Sequence, residues 1–156
     1  MTTTGPHLRV LTAEAWSPVE PYRQRRTEAF YRWAGLECVR QGRHRVLDLG
    51  CGDGLGSAVL TAAGCRVVGV DQDNSALELA RRTFRSDRLV FRAARPPQCD
   101  EPQHSFDAVV CAGLVERLAD PRPLMDEALR VLRPSGLLIA RTPNRLTASP
   151  GRTRPL

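Results

Sequence analysis

Uninterrupted apolar runs alternate along this chain with stretches whose apolar residues recur every three or four positions. Val46 to Leu49, Val67 to Val70, Leu89 to Phe91, Ala108 to Ala112 and Leu137 to Ala140 are short, mostly apolar and bounded by Gly, Pro or Asp, the pattern of buried strands. Between them, Leu55, Ala58, Val59, Ala62 and Ala63 trace one face of a helix that Gly64 would close. Leu77, Ala80 and Phe84 mark a second helix, from a cap at Asp73 or Asn74 to about Arg85. Met125, Ala128, Leu129 and Leu132 mark a third, with Asp120 as N-cap and Pro121 at its first position. Upstream, Phe30, Trp33, Ala34 and Cys38 predict a helix over about 20–40, packed on the sheet or serving as a lid over a cleft. Residues 94–105 form a Pro-rich break.

This alternation predicts an α/β fold: a doubly wound, mostly parallel sheet of about five strands with helices on both faces. Right-handed crossovers then put a ligand beyond the C-terminal strand ends, at the switch point. That edge holds the most informative stretch, Val46-Leu47-Asp48-Leu49-Gly50-Cys51-Gly52-Asp53-Gly54-Leu55-Gly56. Its glycines recur at every second position, after an acid that ends the strand. A dinucleotide fingerprint needs a third glycine three residues after the second, but Leu55 and Ser57 stand at those positions. An acid ahead of the glycines also suits a ligand of cationic character better than a diphosphate. The next strand ends in Asp71, 17 residues after Gly54, about where a Rossmann-like unit places a carboxylate on ribose hydroxyls.

With the later phrases SFDAVVCAGLVERLADP, LMDEALRVLRPSGLL and TPN, the stretch over 45–144 resembles the class I S-adenosylmethionine-dependent methyltransferases. The likeness is to the small-molecule branch, which includes quinone-biosynthesis and natural-product enzymes. It implies S-adenosylmethionine as cofactor and methyl transfer to a small-molecule acceptor by in-line displacement. By the same resemblance, Asp48 and the backbone of Gly50, Cys51 and Gly52 would face the methionine part, Asp71 the ribose, and Gln72 the adenine. Cys111 and Ala112 would offer carbonyls to the methionine ammonium. A methyltransferase domain over 20–144 would then sit between a loosely ordered 1–19 segment and a Pro- and Arg-bearing tail over 145–156.

The chain departs from the family pattern in four places. The aspartate that many relatives direct at the adenine amino group is replaced by Arg95, which has no acceptor. The acidic and histidine positions some relatives use for a metal read Gly113 and Arg117, so no metal is expected, and Glu116 has no assigned role as a base. No catalytic residue is assigned. Ser135 stands in a turn that usually has glycine. The final hairpin of the family is missing, which suggests C-terminal truncation and leaves the fifth strand as an edge for a dimer or a partner to cover.

Composition adjusts this picture in two ways. All 23 basic residues are Arg, and the net charge of +6 leaves a nucleic-acid methyltransferase as a third reading. The Arg residues concentrate near the ends, and no N-P-P-Y-type loop follows Cys111, so a solvated surface is favoured. The second reading, motivated by Arg95 and the short C-terminus, is a cofactor-binding domain without turnover. The five isolated cysteines fit a reducing compartment, and no apolar run reaches membrane length, so a cytoplasmic protein with no membrane contact is expected.

Overall fold

Five of the six strands among the described residues fall on the apolar runs. The computed structural model of the chain describes residues 7–13, 20–95 and 97–143. In chain order the elements are β1 (His7–Ala13), α1 (Glu20–Arg40), β2 (Arg45–Leu49), α2 (Leu55–Ala62), β3 (Arg66–Asp71), α3 (Asn74–Thr83) and β4 (Leu89–Ala93). After the Pro-rich loop come β5 (Phe106–Ala112), a single 3-10 turn (Val115–Arg117), α4 (Arg122–Val131) and β6 (Leu132–Pro143). The strands form one parallel sheet in the order β1-β6-β5-β2-β3-β4. From β2 the chain winds outward through β3 and β4, then returns to β5 on the other side. The switch point therefore lies between β2 and β5, where the glycine loop leaves the sheet.

Side-chain alternation along the strands divides the interior into two cores. On one face Val46, Val67, Ala108, Val110, Leu137 and Ile139 pack under α1, α2 and α3, which contribute Phe30, Tyr31, Ala34, Cys38, Leu60, Leu77 and Ala80. On the other, Leu47, Leu49, Val68, Val70, Val109 and Leu138 pack under Leu124, Ala128 and Val131 of α4. Asp73 caps α3 by accepting from the backbone N–H groups of Ser75 and Ala76. Asp120 stands one residue outside the cap of α4, which is Pro121, and accepts from the N–H of Arg122 instead.

Four expectations are corrected. Residues 7–13, expected to be loose, form a sixth strand, its register running from His7 opposite Leu137 to Ala13 opposite Pro143. That strand fills the edge of β6 expected to be bare or covered by a second chain; pairing within the chain satisfies the same backbone groups. The remainder of the loose N-terminal segment, 1–6 and 14–19, lies outside the described residues, as does the 145–156 tail. The buried side of α2 is Gly56, Ser57, Leu60 and Thr61, not the face of Leu55, Ala58, Val59, Ala62 and Ala63. Two hydroxyls can turn inward because both are bonded: Ser57 to Asp48, and Thr61 to the Ser57 carbonyl. In α4, Leu124 and Val131 are buried and Leu129 is exposed. Ser135 does adopt φ 64, the left-handed conformation a glycine would take at less cost.

The contact between α1 and α2 places the site. A Cβ built on Gly56 would come within 2.3 Å of the Tyr31 ring, so the helices approach over bare backbone. Gly56→Ala is expected to destabilise the fold by about 1–3 kcal/mol through overpacking. In a Tyr31→Ala background the penalty should largely vanish, a coupling that urea denaturation of the double-mutant cycle measures.

Candidate functional site

β5, β2 and β3 are neighbours, so their C-terminal ends bring Ala112, Asp48 and Asp71 side by side. Over them runs the loop from Gly50 to Gly54. Its alternate glycines take φ 75, 54 and 84, left-handed values that an L side chain adopts only with strain. The spacing of the motif is thus a backbone requirement. Around Gly54 there is also no room, since an added Cβ would lie 2.6 Å from Phe91 and 2.7 Å from Ala80. At Gly52 an added Cβ would meet nothing within 4 Å. This is the face of the loop that a ligand can approach.

The loop's N–H groups are engaged within the protein. Those of Gly50 and Cys51 donate to the Val70 carbonyl at 2.9 and 3.0 Å, and that of Gly52 donates to Asp71 Oδ2 at 2.8 Å. Asp71 Oδ1 accepts from the N–H of Asp73 at 3.0 Å. The half-buried Asp71 carboxylate therefore ties the glycine loop to the β3–α3 turn. A carboxylate has about four lone-pair sites, so two remain for further donors.

Asp48 is different. Its side chain is fully buried, with Oδ1 accepting from the Tyr31 hydroxyl at 2.9 Å and Oδ2 from Ser57 Oγ at 2.6 Å. Asp48, expected to face a ligand, has both oxygens held by α1 and α2, beneath the loop. Burial pushes its carboxyl up to about 6 and the Asp71 charge adds to this, while the bonds from Ser57 and Tyr31 oppose it. Tyr31 itself is held well above its ordinary range, chiefly by burial and then by Asp48, so it stays a donor.

The Cys51 and Cys111 thiols also point into the interior. Burial raises both, that of Cys111 to about 12, so neither is a nucleophile at neutral pH. Ala112 is half-buried at the end of β5. Beyond it, Glu116 and Arg117 are exposed in the 3-10 turn, and among the described residues no three His, Cys, Asp or Glu side chains cluster as metal ligands.

Beside the loop lies an open groove of about 680 Å³. Gln72, Asp73 and Asn74 form one wall, and Ala93, Ala94, Arg95 and Asp100 the other. Gln72 and Arg95, assigned to the same region from sequence, do share this groove. Asp100 was missed. It reaches the groove because its backbone turns through φ 54 and because the loop behind it is pinned. Arg92 pairs with the buried Glu101, Arg130 donates to the Glu101 carbonyl, and Glu127 accepts from the N–H and thiol of Cys99. The signal in the sequence was the Asp100-Glu101 pair inside a stretch read only as a Pro-rich break.

The raised Asp48 pKa has a signed consequence. Between about pH 6 and 4 the folded protein holds a proton that the unfolded chain releases, so this group favours folding as pH falls through that window and opposes it above. Asp48→Asn is neutral throughout and keeps both hydrogen-bond partners in reach. The variant should gain stability relative to wild type at pH 7, by on the order of 2 kcal/mol, and lose that advantage towards pH 4. Denaturant melts of both proteins across pH 4–8 check this.

The family model for a methyltransferase domain matches residues 47–140. A probable S-adenosylmethionine-dependent methyltransferase of Mycobacterium tuberculosis is 35% identical over 157 residues, covering 99% of this chain and 56% of the relative. The ubiquinone biosynthesis O-methyltransferase of Aromatoleum aromaticum is 32% identical over 137 residues, covering 86% of this chain and 56% of the relative. This chain thus spans just over half the length of these relatives. Among solved structures, a protein of Pyrococcus horikoshii superposes with a TM-score of 0.64 at 26% identity, covering 80% of this chain and 60% of that one. No helix among the described residues is long and apolar enough to cross a membrane. The chain belongs to the S-adenosylmethionine-dependent methyltransferases and carries their methyltransferase domain.

Proposed function

We propose that this domain binds S-adenosylmethionine across the C-terminal ends of β5, β2 and β3 and serves methyl transfer to a small-molecule acceptor. The observation that carries the reading is the open side of Gly52, whose N–H is bonded to Asp71 at the end of β3, the residue before Gln72 of the groove. The residues present fit such a ligand. Gly52 leaves room for close approach, Asp71 has lone pairs for ribose hydroxyls, and the groove has the shape and exposure to take a base. The small-molecule acceptor is supported by the quinone-biosynthesis relative.

S-adenosylmethionine supplies an activated methyl group when bound. The chain's own task is then positional: the loop and the strand ends hold the cofactor, and α1 shields it from water. No side chain is assigned as a base. Asp48 is enclosed by its two hydroxyl donors, and the Cys51 and Cys111 thiols are held in their protonated form by burial.

At the adenine end we assign two residues of opposite character. Arg95 lines the groove but can only donate, whereas Asp100 on the same wall supplies the acceptor for the adenine amino group. Titration calorimetry with S-adenosylhomocysteine should show binding, with no response to NAD. Asp71→Ala should weaken it by about 1.5–3 kcal/mol and Asp100→Ala by about 1 kcal/mol. Arg95→Asp should tighten it by up to about 1.5 kcal/mol, since a second acceptor joins the groove. Equal affinity of wild type and Asp71→Ala would overturn the cofactor assignment. Weaker binding by Arg95→Asp would show that the arginine itself holds the ligand.

A further inference from the structure

Arg141 lies near the C-terminal end of β6, on the face that α1 covers. In the strand register it stands opposite Ala112 of β5, and its carbonyl accepts from the N–H of Gly113. Its guanidinium lies 5.3 Å from the centroid of the Phe30 ring, and Nη1 donates to the Arg26 carbonyl at 3.1 Å. A guanidinium has five N–H donors. Among the described residues, that carbonyl and that ring are its partners, and no carboxylate pairs with it. Glu116 and Tyr31 bear on it only at longer range, against the like charge of Arg26. The side chain is half-buried, and loss of water holds its pKa below the usual arginine value.

Linking β6 to α1 does not need a charge. One hydrogen bond to a carbonyl and one ring contact are within reach of a neutral side chain of similar length. Nη1 is held by the Arg26 carbonyl, and no Arg141 nitrogen is among the buried polar atoms that lack a partner, so its other donors face solvent, where an anion can reach them. Its place in the sheet says which anion. β6 adjoins β5 and lies two strands from β2, so Arg141 is about 10 Å across the sheet from the glycine loop. That is a distance one small molecule can bridge.

We propose that Arg141, held in place by the Phe30 ring and the Arg26 carbonyl, anchors an oxyanion, a carboxylate or a phosphate, carried by the methyl acceptor. The acceptor is then an anionic small molecule. The inference rests on the methyltransferase reading, since that reading places the acceptor at this end of the strands. Arg–oxyanion pairs are bidentate and charge-assisted, so the preference for an anion over a neutral isostere should be large.

The test uses benzoate, phenyl phosphate and benzamide at constant ionic strength. Binding is followed by calorimetry on the whole chain, with and without saturating S-adenosylhomocysteine. One of the two anions should bind about tenfold or more tightly than benzamide. A preference for benzoate identifies a carboxylate acceptor, and a preference for phenyl phosphate a phosphate. Arg141→Gln should abolish the preference while leaving S-adenosylhomocysteine affinity unchanged, and Arg141→Lys should retain part of it. Equal binding of all three probes by wild type, or a preference that survives in Arg141→Gln, overturns the inference. Should S-adenosylhomocysteine fail to bind while the anion preference persists, the cofactor reading falls and the anion site stands. Binding of S-adenosylhomocysteine without any anion preference removes the anion site alone.

Discussion

A carboxylate placed out of reach of water must find donors or a proton, and Asp48 finds two donors on two different helices. Tyr31 comes from α1 and Ser57 from α2, so one side chain at the end of β2 fixes both helices against the strand. The glycine loop spans the gap between β2 and α2. Its course follows from where those two elements are held, and its left-handed glycines are what that short course requires. The cost of burying the acid is visible in its raised pKa, which the two hydroxyls reduce without cancelling.

The same arrangement divides the labour of the two acids. Asp71, half-exposed and bonded only to backbone N–H groups, keeps capacity for a ligand. Asp48, enclosed, works on the scaffold. Under the proposed methyl transfer, holding the loop still would contribute to rate, because misplacement of the reacting groups is costly. Of the two sequence readings of α1, packing on the sheet is the one its contacts show. The helix packs through Phe30, Ala34 and Cys38, and it holds Asp48 from beneath the loop through Tyr31.

The strands over 45–140, the glycine loop and Asp71 were legible because each is a local signal: an apolar run, a spacing, an acid at a strand end. What escaped is non-local or polar. The inward side of α2 was misread because a hydrophobic period counts Ser57 and Thr61 as outward, and only their hydrogen bonds show otherwise. The strand at 7–13 escaped because an edge strand needs its partner, which lies at 137–143. Asp100 escaped because its place on the groove depends on a loop pinned by Arg92, Arg130 and Glu127. Arg141 was counted among the solvated arginines near the chain ends, and its half-buried setting comes from α1, more than a hundred positions upstream.

The pairing of His7–Ala13 with the strand ending at Pro143 also has a kinetic side. During synthesis the first strand leaves the ribosome before every element it could pair with. The β2–β3–β4 half can assemble from neighbouring segments, while β1 waits for the last strand, itself dependent on β5. Contacts of such wide sequence separation form late because the intervening chain must be ordered first. Until then Leu137–Ala140 presents an unpaired apolar edge, so the interval before β1 docks is when a newly made chain is most open to joining another copy.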